Sequence, residues 1–533
     1  MLPFLNPTNK KSKKYVVAFK GLNYGEGYED GEFSETKNIS LDEFPCLTQR
    51  TGRVWENNTY SAATSVCYKD GKFGGVFVVN GNNVIRNGSS IANLSVTIGK
   101  KQMVGVGNYL IIFPDKVYYN VETGESGSMD VEEEYMAKVT SQTIELVKTE
   151  GYPMAFAFSK GDTVEISGIP GYFDESNPKS ATIREWEPEK LTFDANAFTA
   201  NSTAAKITIK RTVPELEYIC ESNYRLWGVK DNTIYGSKYM DPLNFQSFDG
   251  SAGDSYAIDV GTDGDFTGCI PYTSHICFFK ENVLHKLYGS KPSNFQLVNS
   301  QVYGVQKGSE RSMCIINETL YYKGVNGVYA YTGGIPNLVS DKFGMKRFHS
   351  ACATTDGSKY YIGMCEEATV DKEPKHGVYV YDTRKNLWLQ EDDFNCVDMA
   401  FDGQSVLLLE SNNMYYVLKG EVADTPPWAD EPTPIDWSVT FCPFNEVMNE
   451  RKGYSKFHMR LDLSEGASLV VKVKRNNDTQ WHEVYSVPKN ERPQTITVPI
   501  LPARCDSVEI QLSGTGVCKL RTFIREFYVG SDV

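Results

Sequence analysis

At 533 residues the chain is longer than one ordinary hydrophobic core serves, and length alone points to about two to four domains. With 41% hydrophobic, 12% aromatic and 23% charged residues, 44 Gly and 32 Tyr, it has the balance of a folded, turn-rich protein, which excludes a disordered or fibrous chain. A formal net charge of −14 argues against nonspecific nucleic-acid binding, because proteins that bind in that way neutralise phosphates with a basic surface.

The N-terminus places the apolar Met1-Leu2-Pro3-Phe4-Leu5 before Lys10, Lys11, Lys13 and Lys14, the reverse of a secretory signal, so a cytosolic product is expected. The four lysines read first as a solvated terminus and second as a short basic arm for an acidic partner or nucleic acid. The longest apolar stretches, Tyr109 to Phe113 and Val406 to Leu409, fall far below the roughly 20 residues of a bilayer-crossing helix, so no membrane span is expected. Twelve cysteines run from Cys46 to Cys518 without a Cys-x-x-Cys pair, which points to reduced, buried apolar residues rather than a zinc ribbon or disulfide framework.

Strand signals dominate. Val, Ile, Tyr, Phe and Thr runs are separated by Asp-Gly, Asn-Gly and Gly-Gly turns, as at Tyr68–Gly81 and Tyr322–Tyr329, and long helical periodicity is nearly absent. Hairpin units begin near Thr64, Lys101, Glu215, Phe266, Arg311, His349 and Val397, a spacing close to that of β-propeller blades of about 40 to 50 residues. The expected fold is therefore all-β: a β-propeller of about seven blades, with six and eight also fitting, an inserted small β-barrel and a C-terminal β-sandwich. In Gly377–Trp388 a tyrosine strand, a turn and a tryptophan strand follow one another in a kelch-like pattern that the other units do not repeat.

In chain order the divisions are 1–60, an N-terminal arm with the first propeller strands; 61–130, the first part of the propeller; and 131–212, the inserted barrel. Then come 213–423, the second part of the propeller; 424–434, a Pro-rich linker; and 435–533, the sandwich. The insertion is read from strands at Asp162–Gly168, Ser180–Trp186 and Ala205–Lys210, and the linker from Pro426, Pro427, Pro432 and Pro434. Alternation in Phe457–Leu463, Ser468–Lys474 and Ser507–Leu512 marks the sandwich.

A search for chemistry finds no His-Glu-x-x-His, Gly-x-Ser-x-Gly, P-loop or dinucleotide fingerprint among only six histidines. Trp481-His482-Glu483 lacks a second histidine. The carboxylates Asp254, Asp259, Asp263 and Asp265 lie on a Gly-rich stretch that can be read as a cation loop, but Asp-Gly turn formation explains them as well. Thr354-Thr355-Asp356-Gly357 resembles the turn repeated in sialidase blades, but a single degenerate copy is what chance alone gives. No catalytic, cofactor-binding or metal residue is assigned, no cofactor is expected, and the chain reads as a non-enzyme.

Three stretches resemble a family of propeller proteins encoded among the structural genes of tailed bacteriophages. The first runs from Phe19-Lys20-Gly21-Leu22-Asn23-Tyr24 through Asp30-Gly31-Glu32-Phe33 and Lys37-Asn38-Ile39 to Leu47-Thr48-Gln49-Arg50-Thr51-Gly52, where Thr51 stands in place of the usual proline. The second is Val260–Gly268 with Ile276–Asn282, and the third Arg504–Gly514. The resemblance implies a tail nozzle or hub below the portal, located in the virion tail. It implies a homo-oligomeric ring, six copies being one option, in contact with portal, adaptor and other tail proteins. That ring would form part of the DNA exit channel, retain the packaged genome, pass DNA without sequence-specific binding, and mediate tail assembly and ejection. The alternative is a propeller glycosidase or lectin-like protein that recognises host-surface carbohydrate.

Overall fold

The computed structural model describes residues 11–56, 60–169, 178–198, 201–368, 373–417, 420, 423–426, 431–446, 450–476, 478–489, 491–501 and 503–529. Lys10 and the linker residues Pro427 and Trp428 lie outside them. The chain is all-β, built from many small antiparallel sheets and three single-turn 3₁₀ segments, with no closed barrel among the described residues. It divides into two compact units, one of residues 64–310 and one of residues 1–63 with 311–533.

Among the described residues seven sheets have four strands; in six of them each strand pairs with the next in sequence, and the seventh takes its fourth strand from nearer the N-terminus. Their second strands, such as Arg225–Lys230, His275–Lys280, Thr319–Gly324 and Val406–Leu409, are buried almost throughout, which is why they read as apolar runs and not as alternation. Last strands such as Gln296–Gln301 are largely exposed.

In the unit of residues 64–310 the core is divided into layers between successive sheets. Phe77, Val79 and Val84 of the first sheet pack with Leu110, Ile112 and Tyr119 of the second. Trp227, Val229 and Ile234 of the third pack with Phe266, Ile276 and Phe278 of the fourth.

Between the second and third sheets lies the segment Val131–Arg211, whose two end strands pair so that Val131 faces Arg211. Its seven strands form an open sheet around a separate core of Tyr135, Ile144, Val164, Leu191, Ile207 and others. The expected small barrel is thus corrected to a curled sheet. The stretch Ser180–Trp186 is two strands, Lys179–Thr182 and Glu185–Glu187, at opposite edges of that sheet. Ile183 and Arg184 carry the chain from one edge to the other, and Ile183 is held by Asp162 O and Gly161 N, so the edge strands meet through the chain and do not pair.

In the other unit, Arg53–Trp55 pairs with Met414–Val417 and completes the seventh four-stranded sheet from the N-terminal side. The remaining N-terminal strands join the C-terminal segment. Lys11–Val16 is the edge of a five-stranded sheet with Cys518–Val529, Lys452–Leu463, Thr495–Pro499 and Arg504–Cys505. Phe33–Lys37 is the edge of a second five-stranded sheet with Asp436–Phe441, Val508–Thr515, Ser468–Arg475 and His482–Val487. Leu469, Val471 and Val473 alternate inward with Val508, Ile510 and Leu512, and the two sheets share one core in which Phe441 stacks on Phe523 at 5.1 Å.

The basic N-terminal residues therefore have acidic partners in their own chain. Lys11 and Lys13 pair with Glu526 at 3.1 and 3.6 Å, and Lys14 pairs with Glu446 at 3.1 Å. Hydrogen bonds from Lys11 and Ser455 hold the Glu526 carboxyl down at about 2. Because its folded value is depressed, its stabilising contribution is complete above the ordinary glutamate range and is lost as pH falls from about 4.5 towards 2. We expect the melting midpoint of the native protein to exceed that of Glu526→Gln by a constant margin above pH 5, and that margin to vanish towards pH 2. A margin independent of pH would show that Glu526 acts through packing alone.

Replacing residues 132–210 by a short Gly-Ser bridge should leave the four-stranded sheets of its unit cooperatively folded, since Val131 and Arg211 already lie side by side. The segment 241–255 should then become protease-sensitive, because it loses the hydrogen bonds Thr163 N to Gln246 O and Asn244 Nδ2 to Asp162 Oδ1. Thermal melts and limited proteolysis measure both outcomes.

Candidate binding site

The four aspartates of the Gly-rich stretch are engaged separately. Asp254 is buried and staples its own turn, accepting from Gly250 N (2.6 Å), Ser251 N (3.0 Å) and Ser251 Oγ (2.7 Å). Asp259 accepts from Thr233 Oγ1, and the exposed Asp265 pairs with Lys307 at 2.9 Å. Asp263 and Asp265 act at longer range on Lys280, whose ammonium burial pushes down while they pull it up.

Lys280 itself lies in the second stretch that carries the tail-protein resemblance and fastens the loop between the third and fourth sheets. Its Nζ donates to Thr262 O and Asn232 Oδ1, both at 2.7 Å. Beside it, His285 Nε2 lies 2.9 Å from Thr262 Oγ1, and burial, reinforced by Lys280, pushes this imidazole down to about 4. The histidine is neutral at pH 7 and serves the joint.

The other candidates resolve in the same local way. Asp356 accepts from Ser358 N, Ser358 Oγ and Lys359 N, which makes Thr354–Gly357 a turn device. His482 is half-exposed and faces only Asp478, at 3.4 Å. Among the described residues no three His, Cys, Asp or Glu side chains gather as a metal site would need. The cysteines are free, and all but Cys46, Cys67 and Cys314 are buried.

What sequence inspection did not single out is a depression of about 350 Å³ between the third and fourth sheets, of a size that holds small molecules. Two hairpin tips border it. In Ser222-Asn223-Tyr224-Arg225 both central residues have positive φ, 53° and 54°, the conformation of a tight type I′ turn, and Thr273 at the neighbouring tip has φ 45°. Trp227, Tyr272 and Phe295 supply aromatic wall.

Two of its lining residues keep buried polar atoms without partners. The Arg225 side chain is 1% exposed and donates to the carbonyls of Ser237 (2.5 Å), Asp254 (2.6 Å) and Ala252 (3.1 Å), leaving Nε unpaired. Burial lowers the affinity of this guanidinium for its proton, with Asp254 and Tyr239 opposing, but an arginine so placed remains charged. His275 lies between the rings of Tyr272 and Tyr288 at 5.4 and 4.7 Å, and both its ring nitrogens are buried without a hydrogen-bond partner. Burial, then Lys286, holds it below the ordinary histidine range, so it is neutral at pH 7.

A second hollow, of about 460 Å³, lies in the other unit beside Arg50, Glu43, Asp462 and Lys519. Its charges are matched within the protein, Lys519 to Glu43, Asp462 to Arg521 and Arg50 to Asp424. The depression at Arg225 and His275 is therefore the stronger candidate site. No spacing in the sequence joins these two residues, because turns in two different sheets bring them together.

No family model matches the chain, and no curated protein matches it. Among solved structures it is similar to Kluyvelomyces marxianus Hsv2, at 9% identity and a TM-score of 0.26 over 63% of this chain and 98% of that one. It is similar to an exo-β-1,3-galactanase from Phanerochaete chrysosporium, at 11% identity and 0.22 over 58% and 94%. It is also similar to the phage phi92 endosialidase, at 10% identity and 0.23 over 90% and 75%.

The separate engagement of the aspartates has a measurable outcome. Asp254→Asn should destabilise the protein by about 1–3 kcal/mol, since it weakens three charge-assisted hydrogen bonds at a buried site. Asp265→Asn should leave the unfolding midpoint close to that of the native protein, because its pair with Lys307 is exposed. Denaturant unfolding measures both, and millimolar Ca²⁺ should shift neither. A Ca²⁺-dependent midpoint would restore the cation loop.

Proposed function

We propose that the chain is a structural component of a bacteriophage tail, a nozzle or hub protein that assembles as a ring and forms part of the DNA exit path. In this reading the seven four-stranded sheets are the blades of a seven-bladed propeller, and the two five-stranded sheets a β-sandwich. One observation carries the proposal: the residues that bear the tail-protein resemblance act as structural joints.

Gly21, at φ +79°, lies so near Trp388 that a Cβ would stand 2.6 Å from its carbonyl oxygen, and Leu22 N donates to that same oxygen at 2.7 Å. Gly31, at φ +94°, is fixed in the same way against Ala18 O. Asn23 Nδ2 donates to Glu32, which in turn pairs with Lys342. Thr51, where the related pattern has proline, uses its carbonyl to accept from Arg50 and Arg53, a role that a proline carbonyl fills equally.

Electron microscopy of the purified protein, alone and with its neighbouring gene products, tests the reading: rings of copies are expected. We further expect no shift of duplex DNA mobility at physiological ionic strength, because Lys11, Lys13 and Lys14 already face Glu526 and Glu446. A protein that stays monomeric, or one that binds DNA tightly and salt-sensitively, would overturn the assignment.

A second reading, recognition of carbohydrate at the host surface, is favoured by the aromatic-walled depression of about 350 Å³ between the third and fourth sheets.

A further inference from the structure

We propose that the protein carries two latent disulfides, Cys352–Cys396 between the sixth and seventh sheets and Cys220–Cys269 between the third and fourth, which close in an oxidising medium and staple successive sheets. The inference goes beyond the tail reading, and its test does not depend on ring assembly.

None of the twelve cysteines is in a disulfide, yet four of them are placed alike. Cys352 belongs to Phe348–Thr355, the first strand of the sixth sheet, and Cys396 stands just before Asp398–Phe401, the first strand of the seventh. Both lie in the apolar layer that holds Met399 and Leu408. Cys352 Sγ donates to Cys396 O at 3.4 Å. A Cβ on Gly363 would stand 3.2 Å from Cys352 Sγ and 3.0 Å from Cys396 Cβ, so the two side chains crowd one point that a glycine leaves open. Burial raises the Cys396 thiol well above its ordinary range, and a hydrogen bond with the Cys352 thiol adds to the shift.

Cys220 and Cys269 repeat the arrangement. They lie on Tyr218–Ser222 and Phe266–Tyr272, the first strands of the third and fourth sheets, in the layer around Trp227 and Phe278. Here a hydrogen bond with the Cys269 thiol, followed by burial, raises Cys220.

Two neighbouring thiols are one two-electron oxidation from a disulfide, and hydrogen peroxide is small enough to serve as the oxidant at a buried pair. One thiolate attacks a peroxide oxygen, the O–O bond breaks, and a sulfenic acid and one water result. The partner sulfur then attacks the sulfenic sulfur, the S–S bond forms, the S–O bond breaks, and a second water carries away the remaining proton. Because only the thiolate is nucleophilic, burial and the raised thiols make the first attack slow. The pairs therefore stay open in a reducing cytosol and close during long exposure outside it, the setting in which a virion protein works.

The reduced full chain should be held with dilute hydrogen peroxide at pH 8, alkylated in denaturant and mapped by non-reducing peptide mass spectrometry. Peptides joined through Cys352–Cys396 and through Cys220–Cys269 are expected, while the equally buried Cys518 is recovered unlinked. Closure should raise the melting midpoint by at least about 4 °C, and dithiothreitol should reverse the rise. The paired change Cys220→Ala with Cys352→Ala should remove both cross-links and the peroxide-dependent rise. The map of the unsubstituted protein is decisive whether or not that variant folds: four unlinked cysteines, after peroxide has oxidised the half-buried Cys46, would overturn the proposal. Cross-links that form without raising the melting midpoint would overturn the stapling role.

Discussion

The unit of residues 1–63 and 311–533 depends on one buried ionic network. Arg53, 1% exposed, donates to Glu391 and Asp392 at 2.7 Å, while Arg50 pairs with Asp392 at 3.0 Å and with Asp424 at 2.8 Å. The Arg53 backbone N–H also donates to Asp424. Burial works against the charge on Arg53, but Asp392 and Glu391 hold its proton affinity above the ordinary range. Burial likewise raises the Asp392 carboxyl, and Arg53 with Arg50 more than reverses it. Taking such charges out of water costs several kcal/mol each, so the network is not a simple gain over apolar packing. Its effect is selection. The last strand of the sixth sheet, the chain beyond the seventh and the strand that completes the seventh are brought into one arrangement, because any other leaves an ion buried and unpaired.

The same kind of local engagement runs through the resemblance-bearing N-terminal segment, whose glycines, Asn23 and Arg50 are held by contacts within their own unit. Gly21 and Gly31 permit close approach to neighbouring backbone, Asn23 turns its own loop, and the arginines serve the network.

The all-β class was legible because Asp-Gly and Asn-Gly turns punctuate β-branched and aromatic runs, and the first strands that begin at Ala63, Phe266 and Phe348 start within one residue of the hairpin units read at Thr64, Phe266 and His349. Residues 1–60 were not legible as partners of the C-terminal sheets, since sequence pattern gives a strand but not its neighbour, and pairing between Lys11–Val16 and Cys518–Val529 spans nearly the whole chain. The curled insert was mistaken for a barrel because Ser180–Trp186 looks continuous, and only the crossing at Ile183 reveals two edge strands. The candidate site left even less trace, because Arg225 and His275 are single residues in ordinary hairpins. That Arg225 Nε and the His275 nitrogens stay unpaired is a property of packing, which no spacing encodes.

The threading of the first strands into the last sheets bears on how such a chain comes off the ribosome. The unit of residues 64–310 is contiguous and has every strand it needs once Glu310 has emerged. The edge strand Lys11–Val16, made near the start, must wait for Cys518–Val529, and Phe33–Lys37 must wait for Asp436–Phe441. At about 5–20 residues per second that delay is tens of seconds, during which two strand-forming segments lack their partners. Among the described residues, Lys11–Val16 opens with Lys, Ser, Lys and Lys and buries only Val16, while Phe33–Lys37 buries only Phe33 and Thr36, so neither offers a waiting neighbour much apolar surface.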